Sequence, residues 1–135
     1  MTVFVCVDDE LGMTFFGKRQ SRDSVVIKDM IKTARVARGV LVALPFSEKL
    51  LSGEDGVRID ADAIKNGADF LFIENEALSP FLDKIDKLIV YRWNRLYPSD
   101  KKLDTPPEKN GFHLLLRSEF KGSSHDVITK EVFVK

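Results

Sequence analysis

A single cysteine, Cys6, leaves the chain unable to close an internal disulfide and fits a reducing compartment. It stands inside the apolar run Thr2 to Val7, so it reads as a buried, inert thiol. No apolar run approaches the ~18 residues of a membrane-spanning helix. The first residues carry neither a basic region nor a cleavage site, so the expectation is a cytoplasmic protein with no membrane contact. No charge of one sign dominates: 21 Lys and Arg balance 21 Asp and Glu. That balance excludes bulk attraction to nucleic acid or to an anionic surface. Metal and nucleophile signatures are missing as well. There is no H-x-H, H-E-x-x-H or C-x-x-C spacing, no glycine-rich phosphate loop and no G-x-S-x-G elbow. His113 and His125 are isolated and read as structural or exposed.

What is present is an ordinary globular composition: 135 residues, 44% hydrophobic and 31% charged, enough for one domain with a real core. Thr2 to Val7 reads as a buried strand ended by the acidic turn Asp8-Asp9-Glu10. Residues 13–22 lack a clean period and read as a long loop. From Ser24, apolar Val26, Ile27, Met30, Ile31 and Ala34 recur at helical spacing, with Asp23 or Ser24 as the cap and Gly39 as the stop. Val40 to Leu44 reads as a second buried strand ended by Pro45, and Ser47 to Leu51 as a short helix. Val57 to Ile59 is a marginal strand, and Asp60 or Asp62 caps a short helix that closes at Gly67. Asp69 to Ile73 and Leu88 to Trp93 read as strands on either side of a helix from Glu76 to Lys84. Residues 94–111 form a long polar connection, and Phe112 to Phe120 with Val127 to Val134 form a closing hairpin. Strands alternating with helices and a terminal hairpin imply a layered α/β domain over residues 1–135, its sheet mixed and mostly parallel.

Four groups of residues carry candidate chemistry. Asp23 at a helix start could relay a proton if burial raised its pKa; otherwise it is a cap. Lys18-Arg19-Gln20-Ser21-Arg22 places two arginines before a helix N-terminus, where they could grip a phosphate or carboxylate; otherwise they pair with nearby acids. Asp8, Asp9 and Glu10 at a strand end could bind Mg²⁺, although acidic turns are common. Phe46, Tyr91 and Trp93 could flank a planar ring, or pack in the core.

Several segments, in order, resemble dihydrofolate reductase. The first strand leads through Gly12-Met13 into a loop, then into a helix opened by an acidic residue, here Asp23. Gly39 to Leu50 is similar to the family's second strand and following helix. Ala68 to Tyr91 is similar to its later strand, cofactor turn, helix and next strand. Tyr97-Pro-Ser-Asp100 resembles its glycine-aspartate-threonine turn with Asp100 kept, and Phe112 to Phe133 its closing hairpin. The resemblance implies a three-layer α/β fold with a C-terminal antiparallel hairpin. It implies Asp23 as the catalytic acid/base and cofactor contacts at Glu74, Asn75 and Asp100, with NADPH as cofactor. Ligand contacts are expected at Arg19, Gln20, Arg22, Ile27, Phe46 and Tyr91, although Arg19-Gln20-Ser21 replaces the family's Pro-Trp.

The departures weigh against that cofactor. The family's Gly-Gly turn is Glu74-Asn75 here, which adds a negative charge near a polyanion. Its phosphate-binding glycine, basic residue and threonine are replaced by Ala43-Leu44-Pro45-Phe46. The expected function is therefore binding of a small nucleotide-like or anionic ligand between the 12–23 loop and the sheet, with reductase activity lost or altered. If the chain is an enzyme, an NADPH-dependent oxidoreductase is the expected type. Three alternatives stand beside this: a working NADPH-dependent reductase, a non-catalytic binding or assembly module, and a metal-dependent hydrolase using Asp8, Asp9 and Asp23. The expected partner is a small molecule, and the expected state a monomer or homodimer.

Overall fold

A computed structural model describes residues 1–135. Its centre is β1 (Thr2–Val7), which pairs in parallel with β6 (Phe70–Phe72) on one side and β7 (Lys87–Arg92) on the other. Side chains on a strand alternate between faces, and β1 does this cleanly. Val3, Val5 and Val7 enter one apolar cluster, and Phe4 and Cys6 the opposite one. Beyond β6 lie β4 (Leu41–Ala43) and the edge strand β5 (Val57–Ile59), all parallel. Beyond β7 lie β10 (Ile128–Val134), antiparallel to β7, and β9 (His113–Phe120), antiparallel to β10. The sheet of seven thus runs β5-β4-β6-β1-β7-β10-β9. It is the mixed, mostly parallel sheet the sequence implied.

Helix α1 (Ser24–Val36) covers the Phe4 face with Val26, Ile27, Met30, Ile31 and Ala34, the predicted stripe. Burying five such side chains contributes about 1.5–3 kcal/mol for each large one. Arg38, at φ 62°, takes the left-handed position after the helix, and the Gly39 amide then closes on the Ala34 carbonyl. The other face is covered by short pieces: α2 (Ala63–Asn66), a 3-10 segment at Ser79–Lys84, and the connection around Leu103 and Phe112. No helix is long and apolar enough to cross a membrane.

Three expectations are corrected. Residues 13–22 are not a loop: β2 (Gly12–Phe15) and β3 (Lys18–Arg19) form a hairpin. Its two-residue turn, Phe16-Gly17, has φ 49° and 72°, the double positive φ that hairpin twist demands. Lys101–Lys102 in the 94–111 connection adds β8, making a second, three-stranded sheet β3-β2-β8. Glu76 to Lys84 is not an α-helix. The Asp104 carboxylate holds the Leu78 and Ser79 amides at 2.9 and 3.1 Å, Pro80 has no amide to give, and Phe81 leaves helical angles to bury its ring. Ser47 to Leu51 likewise shrinks to a 3-10 turn at Pro45–Ser47 followed by turns.

The strand order reverses around β1: the chain goes out to β4 and β5, returns through β6, then crosses to β7. A crevice at the carboxyl ends of β1 and β6 follows from that reversal, and such crevices are where open α/β sheets bind ligands.

Candidate active-site pocket

The crevice is a pocket with an apolar wall of Met13, Val26, Ile27, Met30, Phe72 and Trp93. Cys6, Arg19, Gln20, Asp23 and Glu74 supply its polar groups. It is small, a cavity of about 20 Å³ with room for about one water.

Asp8 holds Gln20 in place. Its side chain is fully buried, and one carboxylate oxygen accepts from the Glu10 and Gly12 amides at 2.9 and 2.7 Å. The other accepts from Gln20 Nε2 at 2.9 Å and the Tyr97 amide at 3.3 Å. Since a carboxylate only accepts, the Gln20 amide must present its nitrogen to Asp8. Its carbonyl oxygen therefore faces away, where it is buried without a hydrogen-bond partner. Such an orphan acceptor is uncommon in a folded protein.

Arg19, brought in by the β2–β3 hairpin, lies across the pocket. Its Nε and Nη2 donate to the two Glu74 oxygens at 2.8 and 2.9 Å, and Nη2 also donates to the Phe46 carbonyl at 3.2 Å. The guanidinium carbon sits 5.1 Å from the Phe46 ring centroid. Ser47 Oγ donates to the same carboxylate at 2.5 Å. The pair is largely desolvated, with side chains 17% and 8% exposed. The hydrogen bond to Glu74 raises the Arg19 pKa further, so the guanidinium stays charged.

Asp23 also lines the pocket. Its Oδ1 accepts from the Val25 and Val26 amides, both at 3.0 Å, which is the N-cap of α1. Its Oδ2 accepts from the amide and hydroxyl of Ser124 at 2.8 and 2.7 Å. Burial alone would raise this carboxyl, but the Ser124 and helix donors outweigh it, and the pKa is lowered. From Ser124 the hydrogen bonds continue: Oγ to His125 Nδ1 at 2.6 Å, and His125 Nε2 to Tyr97 Oη at 2.6 Å. Ser124 has one proton and gives it to Asp23. His125 Nδ1–H therefore donates to Ser124, and Tyr97 donates to Nε2. The His125 ring stacks on Trp93 at 5.0 Å, and burial lowers its pKa from the ordinary histidine value.

No family model matches this sequence, and no curated protein matches it. Solved structures do. Among them, a dihydrofolate reductase from Enterococcus faecalis, complexed with NADP(H) and RAB-propyl, superposes with a TM-score of 0.62 over 98% of this chain and 94% of that one, at 10% identity. The chain has the dihydrofolate reductase fold.

Against that fold, the residues at the expected cofactor turn do not fit NADPH. Glu74 stands where the resemblance puts the first of two glycines, and its carboxylate is tied into the pocket wall by Arg19 and Ser47. The phosphate-binding counterpart at Ala43 to Phe46 has no cation, and its helix is a three-residue 3-10 turn led by Pro45. Asn75 uses its carbonyl to accept from Lys101 Nζ at 2.8 Å. Asp100 accepts from the Phe16 amide at 3.0 Å, fastening the hairpin turn.

The other expected site residues divide. Arg19, Gln20, Asp23 and Ile27 do meet in the pocket, and Trp93 joins them. Arg22 is exposed and does not line the pocket with Arg19. Phe46 supports Arg19 and does not line the pocket. Tyr91 is fully buried in the core, where its hydroxyl donates to Asp29 at 2.6 Å. Cys6 lines the pocket, and burial first, then Glu74 and Asp23, raises its pKa, which keeps it a thiol. The requirement that Asp23 carry a raised pKa is not met; the capping alternative describes it. The acidic turn lends Mg²⁺ no help from Asp8, which spends both oxygens on protein donors. Sequence reasoning missed the Asp8–Gln20 and Arg19–Glu74 pairings, because the partners stand 12 and 55 residues apart.

Proposed function

We propose that this chain is a binding protein on the dihydrofolate reductase fold, without NADPH-dependent reduction, that takes a small planar ligand bearing N–H donors. The Gln20 carbonyl carries this reading: it is a buried acceptor with no partner, on a residue that lines a pocket whose charged groups are already paired. An unmade hydrogen bond of this kind costs about 1–3 kcal/mol, which a ligand N–H would recover. Formal charge points the same way, since Asp23 and Glu74 outnumber Arg19 among the lining residues. Trp93 and Phe72 offer flat apolar surface for a ring.

The anionic ligand expected from Arg19 and Arg22 is disfavoured. Arg19 would have to leave Glu74 to reach an anion, stranding a carboxylate that is 8% exposed with Ser47 as its remaining partner. A nucleotide-like base matches the free acceptor by its N–H edge; a phosphate does not. With space for about one water, the pocket has to widen to admit a ring.

The test is a melting series with 2,4-diaminopyrimidine and with inorganic phosphate. At a hundred times its dissociation constant a ligand stabilises the fold by about 2.7 kcal/mol. The reading expects a shift with the diaminopyrimidine that Gln20→Met abolishes. A shift with phosphate alone would overturn it.

A further inference from the structure

The closing hairpin leaves one strand without cover. β9 is paired on one side by β10, and no strand pairs with its outer edge. All seven residues from His113 to Glu119 are exposed. Leu114, Leu115 and Leu116 are 44%, 62% and 58% exposed. Long apolar edge strands are normally blunted by proline, lysine, a bulge or a covering loop, because their free amides and carbonyls template pairing. β9 contains no proline and no lysine, and its bulge lies near its start, between the pairings of Val132 and Phe133.

We propose that β9 pairs antiparallel with β9 of a second copy of this chain, about a two-fold axis through Ser118. The register follows from geometry and charge. Residues directly opposite in an antiparallel pair point their side chains to the same face and their backbone groups in the same sense. A strand paired with its own copy must therefore have its axis at a residue and not between two. An axis at Arg117 opposes two arginines, which is destabilising. An axis at Leu115 or Leu116 carries the pairing across the bulge. An axis at Ser118 uses the regular stretch 116–120. It sets Arg117 opposite the partner's Glu119 twice and Leu116 opposite the partner's Phe120 twice. Arg117 is free to turn: its side chain is 62% exposed and reaches Glu131 at 3.9 Å. Two seven-stranded sheets then continue as one. The overlap is short for a stable interface, so the dimer is reversible and concentration-dependent.

Sedimentation velocity across a concentration series tests this, with a melting curve to confirm that each variant is folded. The wild-type chain should dimerise. Glu119→Arg turns two attractive cross-strand pairs into two repulsive ones and should raise the dissociation constant roughly tenfold. Arg117→Glu with Glu119→Arg restores opposite charges and should restore dimerisation. In a separate arm, Ser118→Cys faces its own copy across the axis and should oxidise to a covalent dimer on a non-reducing gel. Leu115→Cys, opposite Lys121, should not. A wild-type chain that stays monomeric, a dimer indifferent to Glu119→Arg, or equal cross-linking at 115 and 118 would each overturn the proposal.

Discussion

Arg19→Met is the most informative single perturbation of the pocket. It removes the guanidinium that holds both Glu74 oxygens and leaves that carboxylate, 8% exposed, with the Ser47 hydroxyl alone. Breaking a buried pair by deleting one partner costs about 3–5 kcal/mol, because the survivor stays desolvated. Arg19 is itself 17% exposed, and water reaching that side places the expected loss near the low end, about 3 kcal/mol. For a domain of this size that lowers Tm by roughly 10 °C. Replacing both partners, Arg19→Met with Glu74→Leu, leaves no stranded charge and should recover at least about 2 kcal/mol of the loss. Urea denaturation of the wild type, both single variants and the double gives the coupling directly. The exposed pair Lys102–Glu10, at 3.7 Å, is the control and should couple by less than about 1 kcal/mol. Equal stability of Arg19→Met and the double variant would refute the reasoning, since Glu74 would then not depend on Arg19.

Three further outcomes are expected. Asp23→Ala removes an N-cap and two Ser124 hydrogen bonds and should destabilise by about 2–3 kcal/mol in chemical denaturation, while Asp23→Asn should lose less. Gly122→Ala would drive a methyl into Asp23 Oδ2 and the Ile128 side chain, and should cost about 1–3 kcal/mol by the same assay. His125 has a lowered pKa in the fold, so its contribution is complete above about pH 6.5 and is lost as pH falls through the folded value. Asp23, also lowered, contributes above about pH 3.9 and loses its share as pH falls through its own folded value. Melting temperature should accordingly decline in two stages on acidification, and His125→Gln should remove the first.

Much of the sheet was legible because its signals are local. The alternation in Thr2 to Val7, the stripe from Val26 to Ala34 and the closing hairpin each follow from a period within one segment. The β2–β3 hairpin was not legible because its turn places Phe16, a bulky residue, at φ 49°, where the sequence signal is usually Asn or Asp. The helix expected from Glu76 gave way to a contact made by Asp104, far along the chain. The site divides in the same way. Arg19, Gln20, Asp23 and Ile27 surround the start of a strongly periodic helix, so their proximity could be read. What each side chain does there depended on Asp8, Glu74 and Ser124, which only the folded chain brings alongside.

The central claim is that this pocket accepts a donor-bearing ring and has no place for the cofactor of its fold. Isothermal calorimetry of the full chain with 2,4-diaminopyrimidine and, separately, with NADPH tests it most directly. The account predicts heat of binding for the diaminopyrimidine, lost in Gln20→Met, and none for NADPH up to millimolar concentration. Saturable NADPH binding in the micromolar range would contradict it, because the Arg19–Glu74 pair would then have to open for a polyanion.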